Sequence, residues 1–222
     1  MCFSATASFA AGAALLGVGA LTLRRTASAA ELPYASIPVL FGLQQIVEGS
    51  LWLTFLDQAP HLNSILTHIY SLFSHVMWPV FVPIAVLLFE PVPWRRTALK
   101  ALAVGGALSG FYLLYFWAMD PTTSRVVVGQ HIIYDSPHFY IAPILLLYVL
   151  GTCVSSLVSS HSAVRWFGAV SLASYAAASA FYAVWFISVW CFFAAVMSAT
   201  VWLYFRKPRS IAGFDSESCA RA

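Results

Sequence analysis

Apolar residues run along this chain in long blocks, without the strict alternation of a half-buried strand or the narrow stripe of a soluble helix. A bilayer core takes about 20 mainly apolar residues per helix. That ruler marks seven segments: 5–23, 36–56, 63–89, 98–119, 138–158, 165–184 and 186–205. The third carries Pro79 and Pro83, which predicts a kink or tilt. Residues 164–205 read as one apolar block, about twice the membrane thickness as a single helix, so a tight turn is placed near Trp185. The expected fold is all-α, a seven-helix transmembrane bundle over 1–205. The polar tail, 206–222, is expected to be disordered. The longest loop, about 119–137, has Val126-Val127-Val128 and Ile132-Ile133-Tyr134 flanking Gly129-Gln130. That is the pattern of a short β-hairpin between helices four and five, where it could roof a pocket or serve as an ordinary ordered loop.

Composition supports the membrane reading. Of 222 residues, 61% are hydrophobic and 9% charged, whereas a soluble domain carries roughly a quarter charged residues. The net charge of +3 is too small and dispersed for a nucleic-acid footprint. Walker loop, Rossmann glycine fingerprint and Cys-x-x-Cys pair are all missing from the sequence. Charge placement also sets an orientation. With the N-terminus outside, the inner segments hold Arg24, Arg25, Arg95, Arg96, Lys100, Arg165, Arg206, Lys207, Arg209 and Arg221, and the outer segments hold Arg125. That is ten against one, which favours a C-terminus in the cytoplasm of a cell membrane. The opening segment, with Ala27-Ser28-Ala29 as a cleavage-like site, also reads as a signal peptide. However, Arg24 and Arg25 come after its apolar stretch instead of preceding it, so retention as a first helix is expected. No internal repeat is evident, which weakens an inverted-repeat transporter.

The segments MCFSATASF (1–9), QQIVEGSLW (44–52), SSHSAVRWFG (159–168) and FISVWCFFAAVMSA (186–199) resemble a bacterial family of small multi-pass membrane proteins of unassigned function. The resemblance spans nearly the whole chain. It implies a multi-pass membrane protein and supplies no reaction, substrate or catalytic residue.

An ionisable residue inside a span costs a few kcal/mol, so it normally faces the bundle interior. Glu48 is the clearest case, and Gln44 and Gln45, four and three residues earlier, share its face. Two readings stand: polar glue between helices, or an active carboxyl. His61, His68 and His75 recur at heptad spacing, about 10 Å apart along the axis, too far for two to chelate one ion. No metal is therefore assigned, and no cofactor. Antiparallel packing of helices two and three puts Glu48 within reach of His68 or Ser71, and Gln44 within reach of His75. The candidate catalytic set is Glu48 with His68 or His75, and the candidate binding set is Gln44, Gln45, Tyr134 and Trp190, in a polar pocket opening outward. Cys2 and Cys191 are candidates for a disulfide, or are two buried thiols.

The best functional expectation is a membrane-embedded enzyme acting on a lipid-soluble substrate, with membrane lipid or a lipid-soluble small molecule as partner and no nucleic acid. A proton-coupled small-solute transporter and a seven-helix sensor or accessory subunit are the alternatives. A retinal protein is excluded, because the only lysines, Lys100 and Lys207, lie outside the late spans where a Schiff base would form.

Overall fold

The computed structural model describes residues 4–126 and 131–206. Cys2, the Gly129-Gln130 turn and the tail beyond Arg206 lie outside the described residues. Of the described residues 83% are helical, and they form seven helices and one two-stranded antiparallel sheet. The helices are α1 (Ala5–Leu23), α2 (Ala29–Leu56), α3 (Pro60–Phe89), α4 (Pro93–Met119), α5 (Ala142–Val158), α6 (Ser162–Phe181) and α7 (Phe186–Phe205). Strands β1 (Thr123–Val126) and β2 (Ile132–Asp135) lie between α4 and α5. Five helices (α1 to α4, and α7) are long and apolar enough to cross a membrane. The seven expected spans therefore reduce to five on this measure. Helix α5 is short, and α6 is diluted by Arg165 and by Ser162, Ser171, Ser174 and Ser179.

Prolines open several helices, where a missing N–H costs nothing: Pro60, Pro93 and Pro143 lie in first turns, and Pro33 follows the 3-10 turn Ala29–Glu31 that begins α2. Helix α2 closes in a Schellman motif. Gln58 adopts the left-handed region, φ 49°, and the Ala59 amide donates to the Thr54 carbonyl at 3.1 Å. Helices α1 and α2 then pack through small residues. A Cβ on Gly12 would lie 2.8 Å from Ile46, and one on Gly19 would lie 2.3 Å from Val39.

Helix α3 is not uniform. Leu72–Met77 winds as a π-helix, as does Leu150–Val154 in α5. Prolines explain where the freed carbonyls go. In a π register Ser74 would need an N–H from residue 79, but Pro79 has none; the buried Tyr148 hydroxyl donates to that carbonyl instead. Likewise Pro83 cannot serve the Pro79 carbonyl four residues earlier. That oxygen sits in a notch between Gly106 of α4 and Gly151 of α5, where added Cβ atoms would lie 1.9 and 2.8 Å from it. Three helices meet there without room for one methyl group.

The lengths of these helices create the site. At 1.5 Å per residue, the 30 residues of α3 span about 45 Å and the 17 of α5 only about 25 Å. The deficit falls at the end of the bundle where α4 finishes. It is filled by the hairpin and by the 3-10 turn Pro137–Tyr140. The strands pair Thr123 with Asp135, Ser124 with Tyr134, Arg125 with Ile133 and Val126 with Ile132. Alternation turns Ile132 and Tyr134 inward, both buried, and Tyr134 stacks on Tyr70 of α3 at 4.5 Å. Ser124 ties the hairpin to α3 through Thr67 at 2.6 Å and Asn63 at 3.2 Å, and Asn63 donates to Thr54 of α2 at 2.8 Å.

Candidate functional site

Two polar regions occupy this half of the bundle. The first surrounds Glu48, which is fully buried. Its Oε1 accepts from the Ser188 hydroxyl of α7 at 2.7 Å, and its Oε2 accepts from Gln45 Nε2 at 3.3 Å. The Tyr70 hydroxyl and the Cys191 thiol also face this cluster. Gln44 uses its Oε1 to accept from Trp78 Nε1 at 2.8 Å, with Trp78 stacked on Phe41 at 3.8 Å. These bonds link α2 to α3 and α7 across the interior, where an unpaired polar group would cost several kcal/mol.

The second region is a cavity of about 190 Å³ beneath the hairpin. His75, Leu113, Phe116 and Trp117 form its apolar and aromatic side; Asp120, Thr122, Thr123, Asp135, Ser136 and His138 supply its polar side. His75 is buried, with Nδ1 2.7 Å from Ser74 Oγ and Nε2 2.9 Å from Ser136 Oγ, and its ring meets Phe139 at 4.8 Å. His138 stacks on Phe116 at 3.4 Å, and its Nε2 lies 3.6 Å from Asp120 Oδ2. Glu48 is not among the residues lining this cavity.

The expected pairings between α2 and α3 are therefore corrected. His68 is turned away from Glu48: it stacks on Trp117 of α4 at 3.8 Å, and its carbonyl accepts from Trp117 Nε1 at 2.9 Å. Gln44 meets Trp78, and His75 meets two serines. The physical reason is the π turn. A uniform helix keeps the heptad histidines on roughly one face, whereas the wider turn at Leu72–Met77 rotates the remainder of α3 relative to its first half. His61 and His68, ahead of the π turn, are exposed and half-buried, and His75, within it, is buried.

The remaining candidates scatter. Tyr134 belongs to the hairpin roof over Tyr70. Trp190 packs between Tyr148, Tyr175 and Phe186. It lines a narrow apolar slit of about 30 Å³ shared with Cys153, Phe167, Ser171 and Cys191, not the cavity under the hairpin. Cys191 is buried and forms no disulfide among the described residues, and the Cys2 half of the candidate disulfide lies outside them. Among the described residues, no group of three His, Cys, Asp or Glu side chains is placed to hold a metal ion.

Sequence reasoning does not single out Ser136, Asp120 and His138 as a group with His75. Ser136 lies 61 residues from His75, and no local spacing joins them. It misses Glu90 entirely. That residue is buried at the opposite end, where its Oε2 accepts from the Ser160 amide at 2.8 Å and the Ser159 hydroxyl at 3.0 Å, and its Oε1 accepts from the Val92 amide at 3.2 Å. Burial alone would push this carboxyl up; the bonds from Ser160, Val92 and Ser159 outweigh it and hold Glu90 below the ordinary glutamate range.

A profile spanning residues 1–216 decides the family. The chain belongs to DUF6629, a family of unknown function. No curated protein and no solved structure matches it. Membership in DUF6629 thus covers nearly the entire bundle, including both polar regions, and assigns a role to neither.

Proposed function

We propose that this protein is an enzyme embedded in the cell membrane, acting on a lipid or lipid-soluble molecule at the hairpin end of the bundle. The ten-to-one placement of basic residues supports an outer-face position for that end, with the N-terminus outside and the tail in the cytoplasm. One observation carries the reading: the cavity under the hairpin has a buried, doubly hydrogen-bonded histidine in its wall, on a π turn, facing polar groups from α4 and the hairpin. Pi turns recur at functional sites, and a positioned histidine is the commonest general acid or base. At about 190 Å³ the cavity is smaller than a typical small-molecule site of roughly 300–1,000 Å³. It fits the reacting part of a substrate while the apolar remainder stays in lipid. Phe111, Tyr115 and Met119 are exposed on α4, the helix that lends Leu113, Phe116 and Trp117 to the cavity, and offer an apolar surface for that remainder.

In this reading His75 is the reactive group, and Glu48 ties α2 to α7. Reconstitution into vesicles of a bacterial lipid extract, followed by lipid mass spectrometry, tests it. The parent should consume at least one lipid species and His75→Gln should not. If the parent leaves every species unchanged, the enzyme reading fails. Loss of turnover in Glu48→Gln but not in His75→Gln would move the reactive centre to the bundle interior.

A further inference from the structure

Ser136 is the cavity hydroxyl in contact with His75 Nε2, at 2.9 Å. The Ser71 carbonyl, one turn earlier on α3, also faces the imidazole, whose Nδ1 is 2.7 Å from Ser74 Oγ. A carbonyl can only accept. With the ring hydrogen on Nδ1, the side turned to its own helix, Nε2 is left to accept the Ser136 hydroxyl proton. The serine is anchored from its own side as well. It opens the turn Pro137–Tyr140, the Phe139 amide donates to its carbonyl at 3.1 Å, and Asp135 before it is held in strand register opposite Thr123. A nucleophile within reach of a base, with the base oriented by further groups, is the arrangement of covalent catalysis.

We propose that Ser136 is the nucleophile and His75 the general base in the hydrolysis of an ester-linked lipid. This rests on the reading of the cavity as a reaction site and adds the bond that is broken. Ser136 Oγ attacks the ester carbonyl carbon while His75 Nε2 takes the hydroxyl proton. The tetrahedral adduct collapses, the bond from carbon to the alcohol oxygen breaks, and the alcohol leaves with the proton from His75. Water then attacks the acyl-serine, giving its proton to His75; the carbon–Oγ bond breaks, a carboxylic acid leaves, and Ser136 recovers its proton. The Thr122 and Thr123 hydroxyls and the His138 ring line the same cavity and are the donors available to the oxygen that becomes negative.

A fluorophosphonate probe on the purified full chain tests this, because it forms a stable adduct with an activated serine. Peptide mass spectrometry of the unmodified sequence should find one adduct, on Ser136, and His75→Gln should slow labelling about 100-fold or more. Ser136→Cys should keep the fold and transfer reactivity to iodoacetamide. An adduct elsewhere, no adduct, or equal labelling of His75→Gln overturns the dyad. Continued lipid turnover without an adduct on Ser136 would overturn the dyad and spare the enzyme reading. An adduct on Ser136 with no lipid consumed would leave an activated serine and overturn its assignment to lipid-ester hydrolysis.

Discussion

The two ends of the bundle are both rich in polar side chains, and they use them in opposite ways. At the end formed by the turns 24–28, 90–92 and 159–161, Glu90, Arg95, Arg96 and Arg165 are spent on backbone. Glu90 accepts from the 159–160 turn. Arg95 donates to the carbonyls of Val158 and Ser159, Arg165 to those of Ser159 and Ser160, and Arg96 to those of Leu87 and Glu90. These are the carbonyls that helix ends leave without partners. At the hairpin end, His75, Ser136, His138 and Asp120 pair with one another around a void. Polar groups saturated by their own backbone hold a fold together. Polar groups bordering empty space can still meet a substrate.

That contrast fails if the saturated end tolerates mutation. Glu90→Ala leaves the Ser160 amide, the Ser159 hydroxyl and the Val92 amide without their acceptor in a buried turn. The expected loss is about 3 kcal/mol, seen as a large fall in the thermal midpoint in detergent. An unchanged midpoint would show that the network is not structural.

Packing at the notch gives the next largest effect. Gly106→Ala forces a methyl group onto the Pro79 carbonyl, so α3 and α4 must separate, at about 2 kcal/mol. Gly17→Ala is the matched control. Nothing lies within 4 Å of its added Cβ, and its stability should change by less than about 1 kcal/mol. Equal midpoints for the two variants would mean that the three-helix crossing has room for a methyl group after all.

These positions also show what the sequence could and could not convey. Seven helices were legible because each carries its own run of apolar residues. Helices α2, α3 and α4 nevertheless begin before those runs, since prolines and polar residues build their first turns. The hairpin strands were legible from β-branched residues on either side of Gly129-Gln130, and both pair as an antiparallel sheet. The histidine stripe misled because helical projection assumes a constant turn, and a π segment leaves no simple signature in composition. Glu90 was invisible for another reason: it sits between helices, and its partners Ser159 and Ser160 lie 69 and 70 residues away. Local pattern reports which face is apolar. It does not report which distant turn closes over a carboxyl.

Glu48 sharpens the comparison because it is buried polar chemistry of the saturated kind at the hairpin half. In Glu48→Gln one amide oxygen can still accept from Ser188, while the new amide nitrogen faces the Gln45 amide nitrogen. Rotating the Gln45 amide resolves that clash, because its Oε1 has no hydrogen-bond partner among the described residues of the parent. The variant should lose no more than about 1 kcal/mol and keep lipid turnover. His75→Gln should cost a similar amount and abolish turnover. If both variants behave alike in the turnover assay, the distinction between a tie and a reactive group collapses.

The smallest effect is a pH dependence confined to the backbone-saturated end. Glu90 is held below the ordinary glutamate value of about 4.3 by the bonds it accepts, so the folded state binds its proton less readily than the unfolded chain does. Its contribution to stability is therefore fully present above the unfolded value, and is lost as pH falls through that value toward the depressed folded one. Unfolding midpoints in detergent should be level with respect to this group above about pH 5 and decline below about pH 4.3. Glu90→Gln has no titrating carboxyl there, and its acid decline should be shallower than the parent's by this contribution. Parallel curves for the two proteins would mean that Glu90 titrates alike folded and unfolded. The hydrogen bonds from Ser160, Val92 and Ser159 would then not be stabilising the ionised form, and the view of this end as carboxylate-closed would have to be given up.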